Sequence, residues 1–329
     1  MTVEVNVMHP TPSGTRDVLP DEMGELRILT EALRGTFGRR GYGEIYTPAL
    51  EYEHVQASGG ESAAPAYRLF DEQGNVLVLR SDMTLPIARV VATRYAEAEP
   101  PLRFSYLAHA YRSVVPKRGE AREMLQAGIE LVGAPGPEGT AEALEVLCEA
   151  LDSAGLASYR IGLGDAGLFP SLLAALGLDA TAAQAVLQEL SRRDFVGLEA
   201  TLAALDVDPA DAKLLLDVAQ QRGGREVLEH ADGHVADAVA DMLAVHDRLA
   251  PAAAERLIFD LGLTVKLGYY TGAVFEVYDA ALGAPIGGGG RYDELLGRFG
   301  RSLPAVGWAL NVERLHLAAV AEKARRSWA

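Results

Sequence analysis

Two carboxylates and an amide are spaced so that they could hold a small cation. In "EMLQAGIELVG" (123–133), Gln126 and Glu130 lie four residues apart. On a strand, residues an even number apart share a face, so this amide and carboxylate point the same way. Asp82, in "LRSDMTLP", offers a second carboxylate. Ionised carboxylates only accept hydrogen bonds while an amide both donates and accepts, a set that suits an α-amino group or an imidazole. The same residues would also make an ordinary surface ion-pair face, and at this level both readings stand. Arg112 sits on the preceding strand, and Lys117, Arg118 and Arg122 occupy the loop between. "TVKLGYYTGAVFEVY" (264–278) reads as an apolar hairpin with Tyr269 and Tyr270 at its entrance. Strand alternation would send the two rings to opposite faces, so one of them must line something.

Other chemistries find less support. His230 and His234 in "EHADGHVAD" have a helical metal-ligand spacing, but Gly233 weakens the helix and no third ligand or general-base glutamate is near. No P-loop and no G-x-S-x-G pattern occurs. Gly287–Gly290 in "IGGGGRYDELL" would let a ligand approach the backbone. The simpler expectation is a turn before a helix in "YDELLGRFG". The single cysteine, Cys148, lies in the apolar-periodic "AEALEVLCEALDSAG" and reads as a core thiol. It rules out an internal disulfide and a cysteine-based zinc site. Neither a metal nor a cofactor is expected.

These residues need a scaffold, and the 329-residue chain has enough material for one. Its composition, 49% hydrophobic and 23% charged, is that of a globular protein. The net charge of −16 disfavours nucleic acid, whose phosphates demand Lys and Arg. No apolar run reaches membrane-spanning length. The start, "MTVEVNVMHP", lacks a signal-peptide pattern, so a cytoplasmic location is expected.

A first helix should follow Pro20, with Leu26, Leu29, Leu33 and Phe37 on one stripe and a stop at Gly41. Strand texture follows in "EIYTPAL", "YRLFD", "VLVLR", "LRFSYLAHAYRSV", "EMLQAGIELVG", "SYRIGLGD", "RLIFDLGL", "GAVFEVYDA" and "AVGWAL". "DEQGN" supplies a hairpin turn. Strands that succeed one another without intervening helices predict a mostly antiparallel sheet and an α+β class. Residues 167–251 are alanine- and leucine-rich, which predicts a helical insertion between sheet parts 1–166 and 252–329.

Seven motifs in order, "TPSGTRDVLPDEM", "GYGEIYTPALEY", "LRSDMTLPIAR", "YRSVVPKRGEAREMLQAGIELVG", "YYTGAVFE", "GGGGRYDELL" and "PAVGWALNVERL", resemble those of histidyl-tRNA synthetases over almost the whole chain. The resemblance implies a class II aminoacyl-tRNA synthetase-like antiparallel sheet flanked by helices, dimerising around Pro48. It also implies histidine contacts at Asp82, Thr84, Gln126, Glu130, Tyr269 and Tyr270, with Arg112 and Arg314 as remnants of an ATP site.

The departures are specific. Val265 stands where that family has its catalytic arginine, and Gly268 where it has an aspartate. Ser113 and Val114 replace a polar-acidic pair, Asp82 a glutamate, and Asn311 a glycine. The chain ends at Ala329, where a synthetase would continue into an anticodon-binding domain of about 100 residues. Losing one donor to developing phosphate charge costs about a hundred- to a thousandfold in rate. A chain with these changes resembles the regulatory subunits of ATP phosphoribosyltransferase. That resemblance implies a short-form catalytic subunit as partner, no active site in this chain, and histidine as effector. Two rivals, a histidine-activating synthetase paralogue and a truncated tRNA-binding accessory, run against Val265 and against the net charge respectively.

Overall fold

The computed structural model describes residues 11–60, 66–114, 121–229, 233–264 and 268–328. The first helix, Pro20–Arg39, begins with a proline in its first turn beside Asp21 and Glu22, where an acidic charge meets the positive end of the helix dipole. Its stripe Leu26, Leu29, Leu33 and Phe37 is buried, and Gly41 turns the chain away with a φ of 79°.

Among the described residues twelve strands follow: β1 (Gly43–Glu44), β2 (Leu50–Tyr52), β3 (Arg68–Phe70), β4 (Val76–Leu79), β5 (Leu102–Tyr111), β6 (Glu123–Val132), β7 (Arg160–Asp165), β8 (Arg222–Gly223), β9 (Leu257–Asp260), β10 (Ala273–Tyr278), β11 (Gly287–Arg291) and β12 (Ala305–Asn311). Nine of them form one sheet in the order β1-β5-β6-β12-β11-β10-β7-β9-β8. Its pairs are antiparallel except β1–β5 and β7–β9. A small second sheet, β2-β4-β3, is closed by the "DEQGN" turn, where Asp71 Oδ1 accepts from the Gln73 and Asn75 amides.

Alternation along the large sheet gives it two unlike faces. One carries Ile129, Leu131, Ile161, Leu163, Phe275, Val277, Trp308 and Leu310, all buried in the main core. The helices Pro20–Arg39 and Glu138–Ser153 contribute to that core. Phe37 meets Trp308 edge-on at 5.7 Å, and Trp308 Nε1 donates to the Ala143 carbonyl at 2.9 Å. Cys148 is buried in the same core, and burial pushes its thiol up to about 11. The opposite face holds a second core of Phe104, Tyr106, Ala305, Tyr269 and Tyr292 under the helix Thr84–Arg94.

Between β7 and β9 the described elements are α-helices, Leu168–Ala175, Ala180–Arg192, Phe195–Ala204, Pro209–Gln220, Glu226–Glu229, Ala236–His246 and Pro251–Ala254, with a short 3-10 helix at Gly233–Val235 and the two-residue β8 among them. Asp179, Asp194 and Asp208 cap three of them by accepting from backbone amides. Leu172, Leu190, Leu215 and Met242 join the main core of the sheet. Among the described residues no helix is long and apolar enough to cross a membrane.

Three expectations are corrected. Gly287–Gly290 form the central strand β11, paired on both sides, because their neighbours fill the space that side chains would need. In "EIYTPAL" only the ends pair, and the stretch around Pro48 runs free of the ladder. The tyrosines precede β10 in a turn, so alternation does not separate them, and both rings lie on one face.

Candidate ligand pocket

Glu130 is the centre of the second face. On β6 it pairs with Phe104 of β5 and Gly307 of β12, and Gly307 in turn pairs with Gly290 of β11. A Cβ on Gly307 would fall 1.8 Å from Glu130 Oε2, and one on Gly290 would fall 2.8 Å from the Tyr270 ring. The glycines are therefore what lets a carboxylate and an aromatic ring lie across the sheet.

Both carboxylate oxygens of Glu130 are held. Thr84 Oγ1 donates to Oε1 at 2.7 Å, and the Tyr292 hydroxyl donates to Oε2. Burial pushes Glu130 up to about 8; the two hydroxyl bonds offset this in part, and the nearby Asp82 charge adds to it. Asp82 is also raised, again by burial first, and is steadied by the Leu85 amide at 3.1 Å and Ser81 Oγ at 3.3 Å. Two buried carboxyls acting on each other's charge, each above its ordinary range, hold their protons more tightly than free carboxyls do, and a cationic guest would have to displace a proton to pair with them.

Three tyrosine rings pack together beside them. Tyr269 and Tyr270 lie 5.0 Å apart, centroid to centroid, and Tyr292 sits 5.9 Å from the first and 6.5 Å from the second. Burial holds the Tyr106, Tyr269 and Tyr292 hydroxyls well above their usual range, so they remain protonated donors. Tyr106 donates to the Trp308 carbonyl at 3.4 Å, beneath Gly128, where a Cβ would strike both.

The structure thus gathers Asp82, Thr84, Glu130, Tyr269 and Tyr270 in one cluster. Gln126 shares the face and lies opposite Asn311; its Oε1 is buried with no hydrogen-bond partner among the described residues. Arg112 lowers both Asp82 and Tyr270 through its charge, and its Nε is likewise buried and unpartnered. Arg314 stands on the last helix, Val312–Trp328, and donates to the Pro285 carbonyl at 2.8 Å. Asn311 Oδ1 caps that helix by accepting the Arg314 amide at 2.8 Å, which gives the departure from glycine a structural use. Val265, Lys117, Arg118 and His230 lie outside the described residues, and Gly268 is exposed in a turn. Among the described residues no cluster of three metal-ligating side chains occurs.

Sequence reasoning missed Tyr292, Ser81, Tyr106 and Gly307 as parts of the pocket. Tyr292 could have been found, since "GGGGRYDELL" places it next after a strand that runs beside Gly307.

The sheet is that of a histidyl-tRNA synthetase-like class II fold. The family model for histidyl-tRNA synthetase matches residues 14–315. An ATP phosphoribosyltransferase regulatory subunit from Desulforamulus reducens is 41% identical over 311 residues, covering 93% of this chain and 78% of that protein. A crystal structure described as an ATP phosphoribosyltransferase regulatory subunit/histidyl-tRNA synthetase from Bacillus halodurans superposes with a TM-score of 0.87 at 32% identity, covering 95% of this chain and 83% of that one. A histidine–tRNA ligase subunit from Alicyclobacillus acidocaldarius superposes with a TM-score of 0.81 at 31% identity, over 97% and 99% of the two chains. The chain belongs to the family of histidyl-tRNA synthetase-like ATP phosphoribosyltransferase regulatory subunits.

Proposed function

We propose that this chain regulates a short-form ATP phosphoribosyltransferase catalytic subunit, at the first step of histidine biosynthesis, and that its pocket binds histidine without activating it. The observation that carries the reading is Glu130, buried on a glycine floor and held by Thr84 and Tyr292 beside Asp82. A carboxyl fixed in this way is prepared to accept from an ammonium or imidazolium group with little reorganisation. Gln126 and Arg112, with their unpartnered atoms, are suited to the imidazole and the carboxylate of the same amino acid. Asp82 is one methylene shorter than the synthetase glutamate, so a water can bridge its contact.

Regulation then amounts to histidine preferring one state of the complex over the other. The exposed apolar side chains Tyr46, Leu50, Tyr52, Leu69 and Phe70 around Pro48 support a homodimer face. A symmetric dimer would offer the catalytic chain each binding surface twice. Residues 167–251 act as a helical insertion, a reading supported by their helical make-up between β7 and β9. The assembly is cytoplasmic and needs no cofactor, metal, membrane or nucleic acid.

The test mixes the two purified chains and follows phosphoribosyl-ATP formation with and without histidine. Co-elution, activation by this chain and inhibition by histidine are expected. Full activity of the short catalytic chain alone, or no co-elution at micromolar concentrations, would defeat the reading. The likeness to a histidine–tRNA ligase subunit favours a second reading, histidine activation with ATP. Histidine-dependent exchange of pyrophosphate into ATP would establish it, and Val265 is the residue that opposes it.

A further inference from the structure

Arg80 is buried, yet among the described residues its guanidinium forms no ion pair. It donates instead to backbone: Nη1 to the Thr47 carbonyl at 2.5 Å and the Pro48 carbonyl at 3.1 Å, and Nε to the His109 carbonyl at 2.8 Å. The main chain of Arg80 repeats the pattern, with its amide on the Ala49 carbonyl and its carbonyl accepting from the Tyr111 amide, both at 2.9 Å. A buried charge met at contact distance by dipoles, with the Glu51 charge acting only from further off, is costly. Here it ties three backbone segments together: the 47–49 loop, the end of β4 and the end of β5.

The next residues reach the pocket. Ser81 is fully buried, accepts from Gln56 Nε2 at 2.6 Å and donates to Asp82 Oδ2 at 3.3 Å. Two residues further on, Thr84 holds Glu130. Residues 80–84 therefore touch the Pro48 loop at one end and both pocket carboxyls at the other. Tyr46, Leu50 and Tyr52 are exposed on either side of that loop, the apolar side chains on which the proposed homodimer face rests.

We propose that Arg80 is a positioning residue that links homodimerisation to ligand binding: what the Pro48 loop contacts sets how Asp82 and Thr84 stand in the pocket. This rests on the histidine and dimer reading given above. Linkage makes the effect reciprocal, so histidine must strengthen the dimer by the factor by which dimerisation strengthens histidine binding. A lysine at this position would keep the charge but lose the fork that serves three carbonyls.

The test is sedimentation equilibrium of the full chain with and without saturating histidine, in a urea series that brings dissociation into the micromolar range. The wild type should dimerise at least about fivefold more tightly with histidine, the lower end of usual coupling. Arg80→Lys and the milder Ser81→Ala should still melt cooperatively and still dimerise, but histidine should shift their dimerisation less than twofold. A wild type that dimerises and binds histidine with no linkage would overturn the proposal. So would linkage unchanged in both variants. Calorimetry on the same samples separates these cases from a wild type that binds no histidine, which would overturn the underlying reading and this proposal together.

Discussion

The two faces of the large sheet are made by the same strands, one residue out of step. On β12, Val306, Trp308 and Leu310 fill the main core, whereas Ala305, Gly307 and Ala309 leave the other face almost bare. On β6, Ile129 and Leu131 face the core, and Gln126, Gly128 and Glu130 face the pocket. One face is large and apolar for stability. The other is stripped to glycine and alanine so that a few polar groups can lie across it. Core and site share one backbone, and substitutions on opposite faces should separate affinity from stability.

The largest break should come from Gly307→Ala. Its Cβ would fall 1.8 Å from Glu130 Oε2 and 2.7 Å from the Ile129 carbonyl, so Glu130 must leave its place. Histidine affinity should fall by more than about a hundredfold, the loss of one or two charge-assisted bonds. Overpacking should cost about 1–3 kcal/mol of stability. Calorimetry and thermal melting measure the two effects, and unchanged affinity would break the glycine-floor account.

Glu130→Ala comes next, with a loss of about ten- to a hundredfold in histidine affinity for a charge-assisted bond of about 1.5–3 kcal/mol. The same variant should melt at least as high as the wild type near pH 8. Removing a buried carboxyl removes a destabilising ionisation, at the expense of its bonds to Thr84 and Tyr292.

The pH dependence sharpens the point. Glu130 is raised by burial to about 8 from an ordinary value of 4.5. The folded state therefore holds this proton more tightly than the unfolded chain does. Its stabilising effect is complete below about pH 4.5 and is lost as pH rises through 8. Binding an ammonium favours the ionised carboxylate, so histidine should expel a proton at pH 7 and affinity should rise toward pH 8. Titrations in buffers of different ionisation heat would show the release, and a buffer-independent heat would count against it.

Much of this was legible in the residues. The stripe of the first helix and most strands follow from periodicity, and the shared face of Gln126 and Glu130 follows from their even spacing. Distance in sequence hid the rest. Glu130 and Tyr292 are 162 residues apart, and only the pairing of β6, β12 and β11 brings them together. The glycine run was ambiguous because a strand without side chains carries no alternation to read. The tyrosine pair misled for the opposite reason, since alternation was applied to a turn.

The smallest effects belong to the core face. Trp308→Phe removes the bond from Nε1 to the Ala143 carbonyl, which keeps its helical partner, and should cost about 0.5–1.5 kcal/mol. Ile129→Val should cost about 0.5–1.5 kcal/mol. Both should leave histidine affinity within about twofold, because neither side chain reaches the pocket. A large loss of affinity from either would mean that the two faces are not separable.

The central claim is that this pocket is kept for binding histidine rather than for activating it. Titrating histidine into the purified chain, with ATP–pyrophosphate exchange followed on the same sample, tests it directly. The account predicts saturable binding that Glu130→Ala weakens at least tenfold, and no histidine-dependent exchange. Absence of binding to both the free chain and its complex with the catalytic subunit, or robust exchange, would contradict it.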